Sequence, residues 1–176
     1  MSKKIALYGG TFDPPHNGHI HLIVSAMQLW GFDEIWVVPA EENPLKPSST
    51  SAEYRLAMSR LAFEPFPYCR VLDVECARPG PSYTVDTIQW LLEHDREFAS
   101  AERYLLVGSD VAASFPKWKG IASVLHWMQP AVSEVNQFAI CSTLVRQFLE
   151  KGWYAEHLLP KKVLEYVREH KLYGEK

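Results

Sequence analysis

The chain has 176 residues, 47% apolar and 22% charged, with a formal net charge of −3. That suits one soluble domain with one sizeable core; the slightly acidic balance argues against nucleic acid as a partner, and no apolar run has the length of a membrane span. Met1-Ser2-Lys3-Lys4 leads straight into an apolar run without the h-region of a signal peptide, and the three cysteines (Cys69, Cys76, Cys141) lack a metal-ligand spacing, so they read as reduced thiols in a cytoplasmic protein.

Ile5-Ala6-Leu7-Tyr8 reads as a buried first strand, and Ile20 to Trp30 as a helix that stops near Gly31. Glu34 to Pro39 reads as a second strand. Glu41 to Ser51, rich in Pro, Asn and Ser, reads as a loop. Ala52 to Ala62 follows as a helix, broken by Glu64-Pro65-Phe66-Pro67. Arg70 to Val74 alternates as a third strand, and Ala77 to Pro81 makes a rigid turn. Ser82 or Thr84 is expected to cap a helix running to about His94. Tyr104 to Val107 is a fourth strand, ending at Gly108-Ser109-Asp110. A short helix and a Pro116-Lys117-Trp118 turn come next, then a fifth strand over Val124 to Met128 and a short one over Gln137 to Ile140. Ser142-Thr143 opens a helix to Gly152, and Pro160 starts a last helix ending near Lys171. The alternation predicts an α/β fold: one Rossmann-like domain over 1–176, a central parallel sheet flanked by helices, and a small C-terminal helical part at about 142–174. In such sheets ligands bind at the carboxyl ends of the strands, which here collects Gly9 to His19, Pro39 to Lys46 and Gly108 to Asp110.

Between the first strand and first helix stands Gly9-Gly10-Thr11-Phe12-Asp13-Pro14-Pro15-His16-Asn17-Gly18-His19. Glycines let backbone approach a ligand, and the first N–H groups of a helix have no partner within it, so a strand–Gly loop–helix start suits an anion. His16 and His19 add donors there, which suggests a polyphosphate; neither is expected in the apolar core. Farther on, Ile140-Cys141-Ser142-Thr143-Leu144-Val145-Arg146 places two hydroxyls at a helix start, expected to cap it, and a guanidinium one turn in.

These two stretches resemble the paired signatures of the HxGH nucleotidyltransferases, whose second signature reads Ile-Ser-Ser-Thr-x-x-Arg. Pro81-Ser82-Tyr83-Thr84-Val85-Asp86-Thr87, Gly108-Ser109-Asp110, Pro116-Lys117-Trp118 and Ala52-Glu53-Tyr54-Arg55-Leu56-Ala57-Met58 are similar to stretches of the bacterial nicotinate-mononucleotide adenylyltransferases. The resemblance runs nearly the whole chain, to Leu158-Leu159-Pro160 and Leu172-Tyr173.

The resemblance implies transfer of the adenylyl group of ATP to nicotinate mononucleotide, giving deamido-NAD and pyrophosphate in NAD biosynthesis. It implies catalytic roles for His16, His19 and Arg146. For ATP it implies Gly9, Gly10, Thr11, Phe12, His16, His19, Lys46, Gly108, Asp110, Ser142, Thr143 and Arg146. For the mononucleotide it implies Thr11, Phe12, Ser82, Tyr83, Thr84 and Trp118. Mg²⁺ is expected to arrive with ATP and to take few or no protein ligands. The expected partners are the two small substrates, with no nucleic acid or membrane; a homo-oligomer is left open. Two departures stand out: Pro44-Leu45-Lys46 replaces the family's frequent Pro-His-Lys, and the segment between Trp118 and Ile140 is short. Rival readings are another acceptor, such as nicotinamide mononucleotide, and a nucleotide-sensing module without turnover.

Overall fold

The computed structural model describes residues 2–134 and 140–174. Five strands form one parallel sheet: β1 (Lys4–Gly10), β2 (Glu34–Pro39), β3 (Cys69–Val71), β4 (Glu102–Gly108) and β5 (Gln129–Ser133), in the order β3-β2-β1-β4-β5. The helices are α1 (Asn17–Trp30), α2 (Ala52–Phe63), α3 (Thr84–His94), α4 (Arg96–Ser100), α5 (Ser109–Ala112), α6 (Ile121–Trp127), α7 (Ser142–Glu150) and α8 (Lys161–Glu169). None is long and apolar enough to cross a membrane.

Strand side chains alternate between faces, and here both faces are covered. Ala6 and Tyr8 of β1, with Ile35 and Val37 of β2, pack against Ile23 of α1, Met58 and Phe63 of α2, Val145 of α7 and Val163 of α8. Ile5, Leu7, Trp36 and Val38 point the other way, toward Ile88 and Leu91 of α3, Phe98 of α4 and Val124 of α6. The C-terminal helices therefore complete the same layer as α1 and α2.

The differences from the sequence reading have physical causes. Val124 to Trp127 belongs to a short helix with Val124 on its buried side, Met128 is its extended C-cap, and the fifth strand begins at Gln129. Pro130 lies within that strand, which is tolerated because β5 pairs on one side only, with β4. β3 ends at Val71; the Leu72 N–H still reaches the Val37 carbonyl, and the chain then turns through Val74 to Ala77. Helix α4, absent from the sequence reading, is capped by Asp95, which accepts from the Phe98 N–H at 2.9 Å. The expected strand over Gln137 to Ile140 falls largely outside the described residues.

Arg55 of α2 ties the sheet's carboxyl edge together. It is 1% exposed and forms no ion pair among the described residues. Its guanidinium donates to the carbonyls of Thr11 after β1 (3.1 Å), Ala40 and Glu41 (2.6 Å) after β2, and Thr50 before α2 (3.2 Å). Removing it strands buried carbonyls, each of which costs about 1–3 kcal/mol when unpaired. Arg55→Met is expected to destabilise folding by at least about 3 kcal/mol, read as a lowered urea midpoint; an unchanged midpoint would mean these loops hold their positions without it.

Candidate active site

Order reverses between β1 and β4: the chain leaves β1 toward β2 and β3 on one side, and β4 and β5 lie on the other. A cleft of about 800 Å³ opens there, at the carboxyl ends of the strands.

Its floor is the turn after β1. A Cβ on Gly10 would stand 2.9 Å from the Phe12 ring, so only glycine fits. Phe12 itself has a left-handed backbone (φ 51°), a conformation costly for a bulky residue. Its ring compensates by burial, edge-on to Tyr8, Phe63 and His19. Asp13 next to it is buried and accepts from the Ser49 N–H, the Thr50 hydroxyl (2.9 Å) and the Tyr173 hydroxyl (2.7 Å). One carboxylate thus joins the floor to the β2–α2 loop and the chain's C-terminal end.

His16 and His19 stack, their ring centroids 3.7 Å apart. His16 is the N-cap of α1, and its N–H donates to His19 Nδ1 at 3.0 Å. A neutral His19 therefore carries its proton on Nε2. A Cβ on Gly18 would meet the His16 ring at 3.0 Å, so this glycine is what lets the ring lie there. His16 is 6% exposed, against the expectation that it stands outside the core, and its Nδ1 is buried without a partner. Burial, and then the charge of Lys46, push the His16 pKa down to about 4. Burial foremost, then His16 and Lys46, holds His19 well below the ordinary histidine value. Both rings are neutral at pH 7, and the cleft's local positive charge comes from Lys46 instead.

The second motif meets the first through two bonds: Ser142 Oγ donates to the Pro14 carbonyl at 3.0 Å, and Arg146 Nη1 to the Asp13 carbonyl at 2.7 Å. The expected hydroxyl cap does not form. Cys141 is the N-cap of α7 and makes no side-chain cap, while the Thr143 hydroxyl takes a long 3.4 Å contact from Arg146 Nη2. Ser142 and Cys141 line the cleft; Thr143 and Arg146 do not.

The other expected residues come together on the cleft wall: Gly9, Gly10, Thr11, Phe12 and Lys46 near the floor, Gly108 and Asp110 after β4, and Ser82, Tyr83, Thr84 and Trp118 opposite. Neither Ser82 nor Thr84 caps α3. Tyr83 is its N-cap, with no side-chain cap, and Ser82 Oγ instead accepts from the Glu41 N–H at 2.9 Å. Trp118 is held by Nε1 donating to Ser114 Oγ (2.9 Å) and by an edge-on contact with Phe115. The sequence reading missed Asn43, whose Nδ2 donates to Thr11 Oγ1 at 3.0 Å, and Glu75, buried in the wall. Asn43 sits beside the Pro44-Leu45-Lys46 stretch, which was the available signal. Among the described residues, no cluster of three His, Cys, Asp or Glu side chains is placed to hold a metal ion.

Residues 7–163 match the cytidylyltransferase-like family. A Bacillus pumilus protein named a probable nicotinate-nucleotide adenylyltransferase is 36% identical over 97% of this chain and 98% of its own. The nicotinate-nucleotide adenylyltransferase of Bacillus subtilis is 32% identical over the same shares. In fold, the chain is similar to the nicotinic acid mononucleotide adenylyltransferase of Plasmodium falciparum solved with NaAD: TM-score 0.79, 19% identity, 99% of this chain and 98% of that one.

The buried imidazoles make stability depend on pH. Their folded pKa values lie below the unfolded one, so between 6.5 and about 4 the unfolded chain binds more protons. Stability is full above pH 6.5 and is lost as pH falls through that window. The His16 share is roughly 3 kcal/mol. In denaturant titrations from pH 7.5 to about 4.5, His16→Asn is expected to lose stability less steeply than wild type; parallel curves would mean that His16 titrates normally.

Proposed function

The chain belongs to the nicotinate-nucleotide adenylyltransferases of the cytidylyltransferase-like family, and we propose that it transfers the adenylyl group of ATP to nicotinate mononucleotide. An oxygen of the mononucleotide phosphate attacks the α-phosphorus of ATP, the bond from that phosphorus to the bridging oxygen breaks, and deamido-NAD and pyrophosphate leave. The acceptor phosphate is ionised at neutral pH, so no general base is needed, and catalysis reduces to alignment and charge stabilisation.

The observation that carries this reading is the histidine pair. His16 offers a buried Nδ1 without a partner, and His19 a proton on Nε2, both in the wall of a cleft that begins at a helix start. His19 donates to the α-phosphate and His16 to the phosphates beside it. The Thr11 and Phe12 N–H groups receive the acceptor phosphate, with Gly9 and Gly10 allowing close approach. Lys46 and Arg146 hold the triphosphate, with Ser142 and Thr143 at the start of α7. Gly108 and Asp110 take the adenosine ribose. The pyridine ring stacks on Trp118 and meets the α3 start at Ser82, Tyr83 and Thr84. A divalent ion, Mg²⁺ in this reading, would enter with the nucleotide and supply positive charge to its phosphates, with few or no protein ligands of its own. The partners are small molecules, the three thiols are free, and the setting is cytoplasmic. Domain 1–176 acts as one catalytic unit, its C-terminal helical part being 142–174.

Pyrophosphate release with a panel of phosphorylated acceptors tests this directly: turnover with nicotinate mononucleotide supports it, and turnover only with another acceptor, or none, replaces it. His19→Ala is expected to lower kcat by roughly 10²–10³, the scale of one transition-state donor; a variant keeping more than half of wild-type kcat would remove His19 from the chemistry. The acid and amide mononucleotides differ by a carboxylate against a carboxamide. An uncapped helix start favours an anion by about 0.3–2 kcal/mol. An amide NH₂ facing these donors would leave them unpaired, at about 1–3 kcal/mol. Preference for the acid in kcat/KM is therefore expected to be about 10²-fold, and comparable values would show that the α3 start does not read this substituent.

A further inference from the structure

Glu75 is the one buried carboxylate of the cleft wall that the chemistry above does not use. It is 7% exposed and lies in the turn between β3 and α3. No lysine or arginine forms an ion pair with it among the described residues. A buried carboxylate without a cation is costly unless hydrogen bonds compensate. Here hydroxyls do so. Thr87 Oγ1, in the first turn of α3, donates to Glu75 Oε1 at 2.5 Å, and the Ser82 hydroxyl lies near enough to favour the charged carboxylate. Burial pushes the carboxyl pKa up, and these two hydroxyls oppose it.

The positions of the two hydroxyls matter. Ser82 precedes the N-cap Tyr83, and Thr87 closes the first turn behind it. The carboxylate therefore holds the far end of the short segment that starts α3, through Thr87. Ser82 ties the near end elsewhere: its Oγ accepts from the Glu41 N–H at 2.9 Å, and its own N–H donates to the Glu42 carbonyl at 2.8 Å. That links the α3 start to the loop after β2, which carries Lys46. With no capping side chain on α3, its first N–H groups are available to a ligand, and their direction depends on how this segment is held.

We propose that Glu75 is the positioning residue of the acceptor pocket: by holding Thr87 it fixes the first turn of α3, so that the first N–H groups of that helix face the mononucleotide. This rests on the acceptor reading above. It assigns Glu75 to the mononucleotide first: among the described residues His16, His19 and Arg146 make no hydrogen bond to the Ser82–Thr87 segment, and Lys46 shares with it only the loop after β2.

The test is steady-state kinetics of Glu75→Gln, Thr87→Val and the double variant, with KM measured separately for nicotinate mononucleotide and ATP. Each single variant is expected to raise the mononucleotide KM about tenfold, the scale of one buried hydrogen bond, while KM for ATP stays within about twofold. The double variant is expected to be no worse than the worse single, because both act on the same bond: Thr87→Val removes its donor, and Glu75→Gln keeps an amide oxygen but loses the charge that strengthens it. Thr87→Val is nearly isosteric, so it carries the test if Glu75→Gln fails to fold. An unchanged mononucleotide KM in folded variants overturns the proposal. So does a fall in that KM, which would make Glu75 a repelling charge, or a parallel rise in both KM values, which would mean general loosening. A wild-type enzyme inactive toward nicotinate mononucleotide would instead overturn the functional reading, and this inference with it.

Discussion

The cleft depends on a cation that never meets it. Arg55 is buried behind the floor, bonded to carbonyls at the carboxyl ends of β1 and β2 and at the approach to α2. Without this donor the buried Ala40 carbonyl and the partly buried ones of Thr11, Glu41 and Thr50 would lose their partner. A lysine would bring three donors from a single point; the planar guanidinium reaches several acceptors spread over three chain segments. With Arg55 in place, the Thr11 and Asn43 side chains can meet across the gap between the first and second loops. Its charge is solvated by carbonyl dipoles and not cancelled by a carboxylate.

The floor is shaped by two residues whose usual habits are reversed. Phe12 adopts a left-handed backbone, where Gly or Asn would be easier, and sends its ring into the core among Tyr8, Phe63 and His19. Asp13 turns its carboxylate inward to Ser49, Thr50 and Tyr173 while its carbonyl faces Arg146. The strain at Phe12 and the desolvation at Asp13 are offset by packing and hydrogen bonds. In return, both histidines are placed without a charge of their own. Neutral imidazoles avoid mutual repulsion at 3.7 Å and still offer N–H donors.

Much of this was legible in the sequence, for reasons that differ by residue. The alternation in β1, β2 and β4 is strong because both faces are buried, and the Gly9–His19 and Ile140–Arg146 stretches carry their chemistry locally. What escaped was either short or long-range. Val124 to Met128 is too short for its period to separate helix from strand, and Pro130 hid the true edge strand. Ser142 looked like a cap because hydroxyls at helix starts usually are; its bond goes instead to Pro14, 128 positions away in sequence. Arg55 lay in plain sight within Ala52–Met58, but its partners are carbonyls, which leave no trace in side-chain identity. Glu75 was silent for a related reason: its meaning comes from Thr87, on the far side of a rigid turn.

The second motif acquires a clearer sense from this geometry. Arg146 does not line the cleft; it holds the Asp13 carbonyl, and Ser142 of the same helix holds the Pro14 carbonyl. Helix α7 is thereby fastened to the first loop at two consecutive residues, beside the helix start that presents His16 and His19. A guanidinium has five donors, and these contacts occupy few of them. Arg146 can therefore keep its bond to Asp13 while others turn toward a triphosphate at the rim. A lysine could supply the charge but not both directions at once. In the proposed reading Arg146 would meet the outer phosphates while it fixes the loop beside His16 and His19, so nucleotide binding and the order of that loop would be one mechanical event.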